Sequence, residues 1–188
     1  ACVFSEDPAI VLDEMAAATR PGAASRRPDT PDVARALSRH RPIKQVVAPG
    51  TLDGGDVLVV GRTIFVGRTS RTNDAGIGQL RLAVASHGYT VVPASVRGCL
   101  HLKWAVTALD DGTLLVNRRW IAEDEFADFD LVDVDSDEPM AAWNWRRLSD
   151  GTPARRALRG VLLGADAAAL RRRRDEPRRD RRADRLRR

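Results

Sequence analysis

A long internal repeat constrains the fold of this 188-residue chain more than any other feature. Asp7 precedes Asp53 by 46 residues, and Asp53 precedes His101 by 48 residues. A period of this length corresponds to a supersecondary unit and not to the turn of a helix or the alternation of a strand. The repeat therefore predicts one structural unit that occurs three times, with a chemically active side chain at the same position of each copy.

The segments after these three positions have the pattern of a β-hairpin, which is two short apolar runs separated by turn residues. The middle copy is the clearest, because Val57–Val60 and Thr63–Val66 are joined by Gly61–Arg62. In the first copy Ala9–Leu12 and a run ending near Thr19 flank Asp13–Glu14, and in the third Trp104–Leu109 and Thr113–Val116 flank Asp110–Gly112. Each copy is predicted to be strand, tight turn, strand.

An arginine follows each hairpin, and the sequence then predicts helices in the first two copies. The arginines are Arg26, Arg71 and Arg118, at spacings of 45 and 47 residues. Thr30 is predicted to be a helix N-cap, since proline and an acid follow it. A second helix is expected between residues 73 and 87, with Gly88 as its stop before a strand over residues 89–93.

The order strand, strand, helix, strand defines a ββαβ unit. Such units arranged about an axis form an α/β-propeller, in which equivalent positions of successive units point at a common centre. We therefore expect Glu6, Asp7, Asp53 and His101 to converge there. The predicted fold class is α/β, as an incomplete α/β-propeller with about three recognisable units.

Composition sets outer bounds on the class of protein. The length suits one domain, no apolar run approaches the roughly 20 residues of a membrane helix, and the N-terminus has no signal-type pattern. The cysteines, Cys2 and Cys99, have neither metal-ligand nor disulfide spacing. We expect a soluble, cytoplasmic protein with no membrane partner.

Charge divides the chain into two parts. Residues 1–139 contain 15 basic and 20 acidic side chains, for a net charge of −5, whereas residues 140–188 contain 16 and 6, for a net charge of +10. The second part has no lysine and little hydrophobic periodicity. It resembles a GC-rich coding region read out of frame. We therefore predict a folded domain over 1–139 and an arginine-rich tail over 140–188 that is disordered or out of frame.

Five segments, in this order, resemble the dimethylarginine dimethylaminohydrolase family of the guanidine-modifying, or pentein, superfamily. They are Phe4–Pro8 (FSEDP), Thr19–Arg27 (TRPGAASRR), Gly50–Asp56 (GTLDGGD), Ser70–Asn73 (SRTN) and Leu100–Lys103 (LHLK). The resemblance covers roughly residues 2–139. It implies a five-bladed α/β-propeller of which this chain holds the second to fourth blades.

The resemblance also implies a reaction and a substrate. In this family a cysteine thiolate attacks the guanidinium carbon of an N-methylated arginine, an amine leaves, and water then releases citrulline, with no metal or organic cofactor. By position, Glu6 and Asp7 match the acids that hold the guanidinium, for which paired carboxylates are suited. Arg26 and Arg71 match the arginines that hold the α-carboxylate of the substrate.

The remaining roles follow from the same match. His101 corresponds to the general acid and base of the family, work that suits an imidazole near neutral pH. Asp53 corresponds to the acid that supports this histidine. Phe4 would line the pocket over the methyl-bearing end of the substrate.

The chain departs from the family at the nucleophile. The family places its cysteine near the C-terminus in a Gly-Gly-x-x-Cys context, and no cysteine follows Cys99 here. Without a thiolate, covalent catalysis has no attacking atom, so we expect this chain to be inactive. Cys99, two residues before His101, is the alternative nucleophile, and Cys2 is a weaker one.

Other readings of the same residues stay open. The chain could be a binding-only remnant for arginine-like ligands, or a relative of arginine deiminase, although the short links leave no room for the helical insertion of that enzyme. Clustered arginines in the tail could bind nucleic acid, but a run without aromatic residues is more typical of disorder. The acids could also be turn formers and His101 a core residue.

Overall fold

The computed structural model describes residues 7–134, and the architecture below is that of this part of the chain. Phe4, Glu6, Cys2 and the arginine-rich segment 140–188, about which the sequence makes predictions, lie outside the described residues.

Three sheets of three strands follow one another along the chain. In each sheet the first two strands are antiparallel and the third is parallel to the second. The strands are β1 Ala9–Val11, β2 Ala16–Ala18 and β3 Ile43–Gln45; β4 Val57–Val60, β5 Thr63–Arg68 and β6 Thr90–Ser95; and β7 Val106–Ala108, β8 Thr113–Val116 and β9 Asp130–Asp133. The predicted repeat of three hairpins is confirmed, and the structure adds a parallel third strand to each of them.

Helices connect the second and third strands of the first two sheets. They are α1, Thr30–Leu37, and α2, Asp74–Val84. In the third unit a short 3₁₀ helix, Glu123–Phe126, takes this place. A parallel strand needs such a crossover because a tight turn can only reverse the chain. Among residues 7–134, no helix has the length and apolar character needed to cross a membrane.

The middle sheet is buried on both faces, which explains its continuous apolar strands. Val57, Ile64 and Val66 face a core cluster shared with the first sheet and α2. Leu58 and Phe65 face a second cluster shared with the third sheet. Because neighbouring residues of a strand point to opposite faces, β4 and β5 contribute to both clusters and hold the three units together.

The predicted N-cap of α1 is wrong by one residue. Thr30 is the first helical residue and Asp29 precedes it with helical backbone angles and no side-chain cap. The reason is that a 3₁₀ helix, Ala24–Asp29, runs directly into α1. The chain therefore never adopts the extended conformation of an ordinary N-cap at this point.

The predicted strand Trp104–Leu109 is also corrected. Residues Leu102–Ala105 form a one-turn helix, α3, and strand β7 begins only at Val106. The first amide of this turn, that of Leu102, donates to the carboxylate of Asp56 at 3.1 Å. A buried acceptor thus replaces the strand partner that the sequence pattern predicts.

Candidate functional site

The carboxylate of Asp56 lies at the centre of the candidate site and has no exposed surface. Its Oδ2 atom accepts hydrogen bonds from the hydroxyls of Thr69 at 2.7 Å and Thr72 at 2.6 Å. Its Oδ1 atom accepts from the Leu102 amide at 3.1 Å and lies 3.2 Å from Nδ1 of His101. Four partners hold this carboxylate in one orientation, and it in turn fixes the imidazole ring of His101.

The structure shows a second acid beside the histidine that the sequence analysis did not name as a site residue. Nδ1 of His101 lies 3.2 Å from Oδ1 of Asp56, three residues after Asp53. Asp53 is extended, whereas Gly54–Asp56 forms a 3₁₀ helix that turns the side chain of Asp56 inward. Asp53 instead accepts a hydrogen bond of 2.8 Å from the amide of Gly22.

Asp53 nevertheless lies close to the histidine. One ligand atom each from Asp7, Asp53 and His101 falls within 4.8 Å of the other two. The structure therefore brings together the three residues that the repeat places at equivalent positions. Two carboxylates and an imidazole could also hold a divalent cation, although the same negative charge suits a guanidinium.

Asp7 is held at the start of the first unit by the second unit. Its Oδ1 atom accepts from the amide of Gly55 at 3.2 Å, and its main-chain carbonyl accepts from Gly54 at 3.1 Å. Its other carboxylate oxygen lies 3.7 Å from the guanidinium of Arg26. Asp29 binds the same guanidinium at 3.2 Å. Arg26 is thus placed beside the acid cluster.

The backbone of Arg71 lies close to that of Gly22, whose amide donates to Asp53. A Cβ atom on Gly22 would lie 2.5 Å from the carbonyl oxygen of Arg71 and 2.6 Å from its Cα. Only glycine allows the two segments to lie so close together. Within residues 7–134 the guanidinium of Arg71 makes no hydrogen bond or ion pair, so it is available to an anionic group.

Burial sets the electrostatics of two further groups. Burial lowers the pKa of Lys103 below its usual range, and the negative charges of Asp7 and Asp56 oppose this shift. Burial also raises the pKa of Asp53, and the charges of Asp7 and Asp56 add to that effect. The Gly22 amide and His101 act in the opposite direction on Asp53.

The raised pKa of Asp53 predicts a pH dependence of folding. A carboxyl whose pKa rises on folding holds its proton more tightly in the folded state than in the unfolded one. Its stabilising contribution is therefore complete below the ordinary pKa of aspartate and is lost as the pH rises through the higher folded-state value. Asp53→Asn keeps an acceptor for the Gly22 amide and has no charge to bury.

We expect Asp53→Asn to unfold at higher urea concentration than the parent chain at pH 7, with the difference shrinking towards pH 3. Urea titrations at a series of pH values measure it. Asp32→Asn, at an exposed acid of α1, serves as the control and should show no such trend. A difference in urea midpoint between Asp53→Asn and the parent chain that grows towards low pH would contradict a raised pKa of Asp53.

The thiol of Cys99 is poorly suited to act as the alternative nucleophile. It is partly buried, and its Sγ donates to the main-chain carbonyl of His101 at 3.3 Å. Burial raises its pKa to about 11. At that value only about one thiol in ten thousand is ionised at pH 7, and the thiolate is the nucleophilic form.

Alkylation of Cys99 by iodoacetamide is therefore expected to be slow at pH 7 and to rise with an apparent pKa of about 11. Measuring the rate in a Cys2→Ser background, against a small free thiol as reference, isolates this residue. A rate that already levels off near pH 8 would restore Cys99 as a candidate nucleophile.

Sequence reasoning missed Asp56, although it stands at the end of the GTLDGGD segment. The only signal was the second acid three residues after the first, which is also the pattern of an ordinary turn. Phe4 and Glu6, expected in the same pocket, and Cys2, the weaker nucleophile candidate, fall outside the described residues.

Comparison with known proteins gives this site a context. Over 114 residues the chain is 53% identical to N(G),N(G)-dimethylarginine dimethylaminohydrolase of Streptomyces coelicolor, covering 60% of this chain and 44% of the relative. It is 33% identical over 142 residues to the Pseudomonas aeruginosa protein of the same name, covering 74% of this chain and 56% of the relative. Over the matched residues the chain is similar in sequence to dimethylarginine dimethylaminohydrolases. It spans about half the length of these two curated relatives.

A solved structure of the P. aeruginosa dimethylarginine dimethylaminohydrolase, a cysteine-to-serine mutant complexed with citrulline, has the same fold. The TM-score is 0.71 at 32% identity, with 77% of this chain and 57% of that chain covered. The incomplete α/β-propeller predicted from the repeat is confirmed by this similarity. No protein-family model matches the chain.

Proposed function

We propose that this chain carries the substrate-recognition and proton-transfer groups of a dimethylargininase-type hydrolase, which converts an N-methylated arginine to citrulline and an amine. The observation that supports the proposal most directly is the cluster of Asp7, Asp53 and His101, whose ligand atoms lie within 4.8 Å of one another. Two carboxylates beside an imidazole suit a substrate that is a planar cation and must exchange protons.

Recognition would use opposite charges at the two ends of the substrate. The carboxylate of Asp7 would accept charge-assisted hydrogen bonds from the guanidinium. Arg26, now 3.7 Å from Asp7, and Arg71, without a partner in residues 7–134, would bind the α-carboxylate. A ligand with both charges satisfies all these groups, whereas a ligand with one charge leaves part of the site unpaired. Glu6 and Phe4 are assigned to the guanidinium end by sequence position alone, because they lie outside residues 7–134.

Proton transfer would fall to His101. Its Nδ1 atom faces Asp56, which leaves Nε2 as the atom that can protonate a departing amine and later take a proton from water. The buried carboxylate of Asp56 would hold the ring in one orientation, as the third member of a catalytic triad does. Asp53, within 4.8 Å, would add a second negative charge close to the substrate.

Residues 7–134 contain one cysteine, Cys99, and burial raises its pKa to about 11. The part of the chain that the structure describes therefore supplies no readily ionised thiol to attack the substrate. We therefore propose that the chain binds methylated arginine without turning it over. The proposed function is then binding of methylated arginine by this fold, without hydrolysis.

The test is calorimetric titration with asymmetric dimethylarginine, together with an assay for citrulline release. We expect saturable binding of one molecule per chain and no citrulline. Asp7→Asn removes one charged partner of the guanidinium and should weaken binding by about tenfold or more. Asp32→Asn, which removes an exposed charge of α1, is the matched control and should bind like the parent chain.

Two outcomes would overturn the proposal. Absence of saturable binding, or equal affinities for the Asp7→Asn and parent chains, would show that the acid cluster does not recognise the guanidinium. Citrulline release that disappears in Cys99→Ser would show that the chain is an enzyme with a relocated nucleophile.

A further inference from the structure

A depression of about 280 Å³ lies outside the candidate site. It is formed by the end of the first hairpin, the N-terminus of α1 and the residues around the end of β3. The polar residues among its ten lining residues are Thr19, Arg20, Arg27, Thr30 and Gln45, and none of the ten is acidic. None of them has a role in the recognition of methylated arginine proposed above.

Within residues 7–134, no carboxylate forms an ion pair with either arginine of this depression. Arg20 donates one hydrogen bond, of 3.2 Å, to the main-chain carbonyl of Gly50. Arg27 donates to the carbonyls of Pro21 at 3.0 Å and Gly22 at 3.5 Å. In the described part of the chain neither residue forms an ion pair. A guanidinium has five N–H donors, so Arg20 and Arg27 each retain donors that are not used in these hydrogen bonds. The carbonyls that accept from them hold the two side chains in position.

Thr30 gives a second, independent indication of a ligand. It is only 4% exposed, and its hydroxyl is a buried polar atom with no hydrogen-bond partner among the described residues. Buried polar groups are nearly always paired, so an unpaired one calls for an explanation. Thr30 is also one of the residues that line the depression.

We propose that this depression binds a small oxyanion of the phosphate or carboxylate type, held by Arg27 and Arg20 and by the hydroxyl of Thr30. The two guanidiniums supply charge and paired donors, which match the oxygens of a phosphate or carboxylate. The hydroxyl gains the acceptor that it lacks. The volume lies at the lower end of the range for ligand pockets, about 300 Å³ upwards, so the ligand is a small molecule or one end of a larger one.

The experiment must resolve individual sites, because the full chain carries 31 lysines and arginines that attract phosphate. Amide NMR spectra of the full chain are recorded during titration with inorganic phosphate and, separately, with acetate. We expect saturable shifts at the amides of Thr30, Gln45 and Val47. The anion with the tighter saturation identifies the preferred chemistry.

Three variants test the proposed ligands. Arg27→Gln should weaken phosphate binding by about tenfold, because a charged hydrogen-bonding partner is lost. Thr30→Val, of the same shape but without the hydroxyl, should weaken it while the thermal midpoint of the free protein stays the same or rises. Arg35→Gln is the control, since Arg35 is an exposed arginine of the same helix and pairs with Asp32.

Arg27 also holds the Pro21–Gly22 segment, so its replacement could disturb the fold. Arg27→Lys keeps the charge, and we expect it to keep the dispersion of the spectrum and an affinity between those of Arg27→Gln and the parent chain. Shifts that rise without saturation, or equal losses in Arg27→Gln and Arg35→Gln, would overturn the proposal and show an adventitious ion only. Retained affinity in Thr30→Val would remove Thr30 from the site.

Discussion

Replacing Asp56 by alanine is expected to lower the free energy of unfolding by about 3–5 kcal/mol, the range found when one partner of a buried charged network is removed. The carboxylate has no exposed surface and four hydrogen-bond partners. Its loss leaves two hydroxyls, one amide and an imidazole without their acceptor. These groups sit among packed side chains, where water cannot easily replace the missing oxygens.

Urea unfolding of Asp56→Ala and Asp32→Ala measures this effect against a matched control. Asp32 is 77% exposed at its side chain and pairs with Arg35 on the helix surface, so its removal should change stability little. The ring resonances of His101 should also broaden or shift in Asp56→Ala, because the ring loses the group that orients it. Similar midpoints for the two variants would mean that Asp56 is not the centre of a cooperative network.

Two glycines of α2 are expected to respond to alanine in opposite directions. A Cβ atom on Gly76 would lie 2.1 Å from the carbonyl oxygen of Thr51 and 2.7 Å from its carbonyl carbon. Both are backbone atoms, so the helix itself must move, and we expect a loss of about 3 kcal/mol. A Cβ atom on Gly78 would meet nothing within 4 Å, so alanine there should stabilise the protein by about 0.5–1 kcal/mol.

Thermal or urea unfolding of Gly76→Ala and Gly78→Ala, two residues apart in one helix, provides the measurement. Helix propensity is the same gain in both variants, so their difference isolates the contact with Thr51. That contact joins α2 to the segment that leads into Asp53, and the Asn73 side chain caps α2 while it also accepts from the Thr51 amide at 3.0 Å. Equal effects of the two substitutions would refute the close approach.

The sequence predicts the middle unit best. Strand β4 has the predicted bounds, Val57–Val60, and Gly88 takes the left-handed conformation of a helix stop at φ +74°. The reason is that a sheet buried on both faces needs apolar residues on both faces of its strands. The resulting continuous apolar run is easily recognised in the sequence. The third unit is harder to predict, because Leu102 and Ala105 are as apolar as strand residues. The first amide of this helical turn, that of Leu102, donates to the buried carboxylate of Asp56, a contact that the sequence does not show.

The sequence predicts which residues meet at the candidate site better than it predicts which of them are hydrogen-bonded to one another. Equal spacing was enough to bring Asp7, Asp53 and His101 together, because equivalent positions of repeated units face one centre. Spacing does not reveal which carboxylate points at the histidine. That depends on the 3₁₀ helix of Gly54–Asp56, which rotates Asp56 inward, and a Gly-Gly-Asp sequence is compatible with many turns.

Each sheet draws its three strands from one continuous stretch of fewer than 40 residues. The Asp7–Asp53–His101 cluster takes one residue from the segment just before each of these three stretches. Local pairing of this kind has low contact order, which favours fast folding. The cluster, in contrast, requires the three units to be packed against one another. Ligand binding by this cluster would therefore measure how the units pack together and not whether each unit is folded. A variant could keep its full circular dichroism spectrum and still lose all binding.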